Sequence, residues 1–223
     1  MNDSLHSSSL APAAHPVLLR AEGLVFSAAT GARLFDGLSF EIRAGLTFIG
    51  GGEGRGKTAL LRLLAGVLTL ESGTVTWQPA PGHAIESDRN DVFLADFDAD
   101  ANPDAVASRW LHEQSARFAG WDRRLLDDLV DGFALTGQLD KTLSMLSTGS
   151  RRKVMLAAAF ASGARLTLLE KPFAALDARS RGLLTELLQE AAGHRGRAWV
   201  LADYLLPAAI ETAGLAAALD LGD

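Results

Sequence analysis

The 223-residue chain contains no cysteine. Disulfides and thiolate metal sites are therefore excluded, and a reducing compartment is permitted. It has no basic excess either: 21 Lys and Arg against 27 Asp and Glu give a net charge of −6. That disfavours a nucleic-acid partner, because little positive charge is available to release counterions from a phosphate backbone. A small anionic ligand needs only local positive groups. No apolar run reaches the roughly 18 residues of a membrane span. The longest candidate, Val154 to Ala164, stops at Arg165. The opening MNDSLHSSSLAPAAHP has no basic flank and no apolar segment, so it does not read as a signal peptide. Any membrane association is expected to come through a partner.

What is present is ordinary for a globular protein: 48% apolar and 22% charged residues. The length suggests one domain, with room for a subdomain. Residues 1–16, rich in Ser, Ala and Pro, read as a disordered tail, and residues 17–222 as the folded domain. VLLRAEGLVF, LSFEI and LTFIG are three strand signals separated by Gly and Asp-Gly turns. A Gly-rich loop and the helical pattern TALLRLLAGV follow. GTVTW and DVFLAD are further strands. Residues 103–145 show helical spacing throughout and read as a small helical insertion, with subdomain bounds of about 99–146. Then come a helix in SRRKVMLAAAFASG, the buried strand RLTLLE, the amphipathic helix ARSRGLLTELLQEAAG, the strand RAWVLAD, a short helix PAAIETAG and a last strand LAAALDLG. Strands alternating with helices after residue 45 predict a parallel sheet covered on both faces, preceded by antiparallel strands.

GGEGRGKT, residues 51–58, fits G-x-x-x-x-G-K-[ST]. The glycines let backbone N–H groups curl around phosphate oxygens. Lys57 can reach the β- and γ-phosphates, and Thr58 can ligate Mg²⁺. The following helix aims its positive end at the anion. The strand before and the helix after supply the required context. No [NT]-K-x-D guanine-reading motif is visible, so a GTPase is disfavoured. LSTGS, residues 146–150, opens another helix and places Ser147 and Gly149 at a second anion-binding edge; an ordinary Ser N-cap is the plainer reading.

The order of these motifs resembles the ATP-binding subunits of ABC transporters over about residues 17–222. LSTGS is similar to that family's LSGGQ signature, and AALD, residues 174–177, to its D-loop, with Asp177. Phe26 sits where the family places an aromatic on adenine, although a core phenylalanine would look the same. The resemblance implies an α/β P-loop NTPase (ABC ATPase) core with an N-terminal antiparallel β subdomain and a small helical insertion. It implies nucleotide contacts from Gly51, Gly52, Glu53, Gly54, Arg55, Gly56, Lys57, Thr58 and Ala59, and from Ser147, Gly149 and Asp177 across a head-to-tail homodimer or heterodimer. It also implies ATP and Mg²⁺, a polytopic membrane permease subunit as partner, and a peripheral place on the cytoplasmic face. The alternative to a transport subunit is an ATP-binding regulatory or interaction protein with little or no hydrolysis; soluble DNA-repair or translation members carry long coiled coils or tandem cassettes, and this chain shows neither.

The chain also departs from the family. The strand LTLLE normally ends in Asp-Glu before Pro: the Asp holds Mg²⁺ and the Glu polarises the attacking water. Here those positions carry Glu170 and Lys171. An ammonium with a reference pKa near ~10.4 cannot take a proton from water at neutral pH. Loss of a positioned base typically costs ~10²–10⁴ in rate. Asp96 stands where the family usually has the Gln of the Q-loop, and Asp203 where it usually has the switch His; each also reads as a turn or cap residue. The expected metal set is Thr58, Glu170 and Asp96, and the expected catalytic set is Glu170, Lys171, Asp203 and Asp96. Because Asp96, Glu170 and Asp203 all end strands on one sheet edge, Lys171 is expected to pair with Asp203 or Asp96 as a salt-bridged lock, with slow hydrolysis. The rival is that Asp96 or Asp203 serves as replacement base. Trp110, Phe118 and Trp121 are either anchors for a membrane subunit or core residues. At least two of Arg151, Arg152 and Lys153 are expected to be solvated.

Overall fold

A computed structural model describes residues 15–78, 91–97 and 103–222. Most of the expected tail (1–14) and the first part of the expected subdomain (99–102) lie outside the described residues. The chain runs β1 (Val17–Ser27), β2 (Arg33–Arg43), β3 (Gly45–Gly50), α1 (Lys57–Leu64), β4 (Ser72–Trp77), β5 (Val92–Ala95), α2 (Ala107–Arg117), α3 (Arg123–Gly132), α4 (Thr148–Ala161), β6 (Leu166–Glu170), α5 (Ala178–Ala192), β7 (Ala198–Ala202), α6 (Ala208–Glu211) and β8 (Ala217–Asp220).

Two sheets form. β2, β1 and β4 make an antiparallel sheet in that order, and β5, β6, β7, β3 and β8 make a parallel one. The parallel strands are short and apolar because both faces are covered. In β7, Trp199 and Leu201 enter the core beneath α4 and α5, while Ala198, Val200 and Ala202 enter the core beneath α1 and the antiparallel sheet. The strand GTVTW does not alternate into the parallel sheet as its place after α1 suggests. It pairs antiparallel with β1. The reason lies in its residues: Thr74 and Thr76 are exposed while Val75 and Trp77 are half-buried, a one-sided pattern that a doubly covered strand cannot use. Gly73 permits this pairing, since a Cβ there would stand 2.4 Å from the Gly23 carbonyl oxygen.

The helical insertion packs on α4, and its ends are tied by a bridge between Val106 and Thr142. Trp110 and Phe118 are 8% and 3% exposed, and Trp121 packs partly buried against the same core. They are core residues rather than surface anchors, because α2 turns its apolar stripe inward, where the Phe118 ring meets Phe93 at 5.4 Å. α4 carries a continuous buried run from Val154 to Ala161. Its N-cap is Ser147, whose hydroxyl accepts from the Ser150 N–H at 3.1 Å. α5 is capped likewise by Asp177, which accepts from the Ser180 N–H at 2.9 Å.

Candidate functional site

The Gly-rich loop joins β3, the strand between β7 and β8 in the parallel sheet, to α1. It therefore lies beyond the carboxyl edge, where open α/β sheets bind ligands. Gly54 and Gly56 take positive φ, +75° and +92°. A Cβ on Gly56 would lie 2.8 Å from the Phe35 ring, so both space and backbone require glycine. α1 has no side-chain N-cap and no acidic residue in its first turn. Its first N–H groups are left for an anion. Lys57 is 5% exposed, and its ammonium donates to the carbonyls of Gly51 and, at 2.7 Å, Gly52. Burial pushes its pKa down, and the positive charge of Lys171 adds to the effect.

Residues 53–59, Leu34, Glu170, Lys171 and Tyr204 enclose a cleft of about 330 Å³. The Thr58 hydroxyl donates to Glu170 Oε1 at the end of β6. Lys171 follows at φ +43°, a strained conformation for a side chain with a Cβ. Three contacts hold it there: its N–H donates to Ala202 O at 2.8 Å, and its carbonyl accepts from Ala174 N–H at 3.1 Å and from Arg152 Nη1 at 2.7 Å. The Lys171 ammonium lies 4.9 Å from the centre of the Tyr204 ring, and Lys57 Nζ lies 4.3 Å from it. Interaction with the Tyr204 phenol raises the Lys171 pKa above the ordinary lysine value, against the opposing pull of burial.

The expected lock is not formed. Among the described residues Lys171 makes no ion pair within 4 Å with Asp96 or Asp203, although the Asp203 carboxylate is near enough to help raise the Lys171 pKa. Asp96 is held instead by Arg62 of α1, through Nε and Nη2 at 2.8 Å each. Asp203 folds back onto its own chain, its Oδ1 accepting from the Tyr204 N–H at 2.8 Å. The next residue, Tyr204, faces the cleft in its place. The sequence offered one signal for it: the chain's single tyrosine stands directly beyond a strand end. Arg152 was also missed. It is 8% exposed, with its guanidinium 4.3 Å from the Phe97 ring centre, while Arg151 and Lys153 are half-buried; none of the three is fully solvated. Long basic stems are buried here because α4 lies under the turn that follows β6.

Ser147, Gly149 and Asp177 do not line this cleft. They form a second edge, where the Gly149 position approaches the Ala175 carbonyl so closely that a Cβ would stand 2.5 Å from its oxygen. Asp177 pairs with Lys153 of α4, and this contact with the Ser180 donors holds its carboxyl well below the usual range. Phe26 is half-buried and stands one ring away from the loop, its centroid 6.5 Å from that of Phe35.

The ABC transporter family model matches residues 35–174. The chain belongs to the ABC transporter family. The cytochrome c biogenesis ATP-binding export protein CcmA of Salmonella typhi is 31% identical over 182 residues, covering 80% of this chain and 86% of that protein. The protein of the same name from Tatumella citrea is 33% identical over 168 residues, covering 74% and 77%. A putative ABC transporter ATP-binding protein from Pyrococcus furiosus superposes with a TM-score of 0.68 at 17% identity, covering 91% of this chain and 96% of its own. cbiO1 of Clostridium perfringens, part of the complex cbiONQ, gives 0.62 at 21% identity, covering 85% and 79%.

The residues present fit a nucleotide: an uncapped helix start, a glycine cradle and a buried lysine bonded only to loop carbonyls. They fit Mg²⁺ in part. Thr58 Oγ1 and Glu170 Oε1 face each other, and Mg²⁺ commonly takes one or two protein oxygens beside phosphate and water. Asp96 does not fit, because Arg62 holds its carboxylate. Among the described residues no group of three or more His, Asp or Glu could hold a metal alone, and no helix is long and apolar enough to cross a membrane.

Proposed function

We propose that this ABC transporter subunit holds MgATP at its own P-loop but hydrolyses it slowly, and that its signature completes the site of a second ATP-binding chain. The observation that carries the reading is Lys171, an ammonium fixed by its backbone where a carboxylate base is expected. Lys57 and the first N–H groups of α1 bind the phosphates. Thr58 and Glu170 hold Mg²⁺, which supplies charge neutralisation at the phosphate oxygens. The bond from Thr58 to Glu170 directs that carboxylate to the metal rather than to water. With Lys171 where a base is expected, the rate loss is ~10²–10⁴.

The second edge, Ser147 to Gly149, supports this reading with a helix start capped by Ser147. A heterodimer would use that edge on the partner's nucleotide. The relatives named for cytochrome c biogenesis export support an export role at the cytoplasmic face of a membrane, through a polytopic permease subunit. Two measurements test this reading. ATP affinity should fall at least tenfold in Lys57→Ala, and affinity purification from membranes should recover a polytopic subunit together with a second cassette. Rapid hydrolysis by the isolated chain, or recovery of the chain without membrane partners, refutes it.

A further inference from the structure

Two side chains of the cleft lining stand together: Lys171, which belongs to the expected catalytic set, and Tyr204, which does not. Two ammonium groups share the Tyr204 ring, with Lys57 Nζ at 4.3 Å and Lys171 Nζ at 4.9 Å from its centre. Cations gather on an aromatic face because its quadrupole is negative. Two like charges sharing one ring still repel each other, however, and an anion between them removes that repulsion.

The anion that fits is set by reach. Lys57 is tethered close to the loop, where its ammonium bonds the Gly51 and Gly52 carbonyls. Lys171 follows β6 with a left-handed backbone and lines the same cleft as Thr58 and Glu170. That backbone is fixed from beneath by Ala202 O and Arg152 Nη1. A diphosphate gripped by the loop satisfies Lys57. Lys57 also reaches a γ-phosphate, so the anion that meets Lys171 on the same ring as well is the third phosphate.

We propose that Lys171 and Tyr204 form a terminal-phosphate reader: both donate to the γ-phosphate of a nucleoside triphosphate and so set the preference for ATP over ADP. The inference rests on the reading that the P-loop holds the nucleotide. The pair converts the positions expected to split ATP into positions that recognise it. Tyr204 is 43% exposed, so its hydroxyl is free to move to the phosphate without disrupting the core. Charge-assisted donors to phosphate are among the stronger and most geometry-dependent hydrogen bonds. Lys171 is the larger contributor because it brings a full charge, and Tyr204 adds a neutral donor and orients the ammonium.

The test is the ratio of dissociation constants for ATP and ADP, each with Mg²⁺, measured by calorimetry on the full chain. Wild type, Tyr204→Phe, Lys171→Met and the double variant are compared. Tyr204→Phe keeps the ring beside the lysines and removes only the hydroxyl. The expected result is an ATP affinity about 3- to 10-fold weaker in Tyr204→Phe and about 10- to 100-fold weaker in Lys171→Met, with ADP affinity changed less than twofold. The double variant should lose less than the product of the two, since the groups share one phosphate and one contact. An ATP-to-ADP ratio that stays at the wild-type value in both single variants overturns the inference alone. Wild-type protein that binds neither nucleotide overturns the P-loop reading along with it.

Discussion

Gly163→Ala tests how the helical insertion is seated on the ATPase core. Gly163 lies just past the end of α4 at φ +70°, the usual place for a left-handed glycine after a helix. A Cβ there would stand 2.1 Å from Gly120 O and 2.4 Å from Gly120 C, in the turn between α2 and α3. Both atoms are backbone, so no rotamer change relieves the contact. The left-handed conformation costs alanine about 1–2 kcal/mol, and forced displacement of a packed segment costs about 1–3 kcal/mol. The sum, roughly 2–5 kcal/mol, corresponds to a melting temperature lower by about 4–20 °C in a chain of this size. Urea unfolding with an unchanged m-value is the assay. Gly182→Ala provides the contrast: it lies inside α5 with no heavy atom within 4 Å of a Cβ. That variant should gain about 0.4–1 kcal/mol, through helix propensity and a less free unfolded chain. A loss below about 1 kcal/mol in Gly163→Ala would refute the close crossing of the turn over α4.

Further expectations follow from the site. Glu170→Gln keeps a hydrogen-bonding partner for Thr58 but removes the charge near the metal; Mg²⁺ should then improve ATP affinity at least ~10-fold less than in wild type, as seen in titrations with and without EDTA. Asp96→Asn breaks a partly exposed ion pair with Arg62 and should cost only about 1 kcal/mol in denaturant unfolding, with nucleotide affinity unchanged. A large loss of ATP affinity would instead return Asp96 to the site. The folded-state pKa of Asp177 is lowered by Lys153 and Ser180, so its contribution to stability is present above the unfolded value near ~3.9 and is lost as pH falls through the lower folded value. Thermal melts of wild type and Asp177→Asn should therefore differ between pH 5 and 8, and converge only in strong acid.

Much of this molecule is legible in its sequence because local and global signals agree. The run from Leu166 to Leu169 is buried on both faces and reads as a parallel strand; the spacing Gly51, Gly56, Lys57, Thr58 carries its own geometry; Ser147 and Asp177 cap the helices they precede. Elsewhere the signal is tertiary. GTVTW has a strand's composition, but its sheet is decided by Gly73 lying against Gly23, 50 residues away in sequence. Asp203 and Tyr204 both follow β7, and which one faces the cleft depends on the Asp203 carboxylate capping its own chain. Arg152 resembles a solvated helix residue until the turn carrying Lys171 covers it. Asp96, Glu170 and Asp203 do share a sheet edge, yet Arg62 takes the first and the Tyr204 N–H takes the last, which leaves Asp203 acting on Lys57 and Lys171 only through its charge.

The central claim is that this cleft binds ATP but lacks a base because Lys171 occupies its place. Its most direct test is ATP affinity and steady-state ATP turnover measured side by side for wild type and Lys171→Glu. The account predicts that both proteins bind ATP and that turnover rises about 10²-fold or more in the variant. Equal turnover in the two proteins, at any affinity, would contradict it.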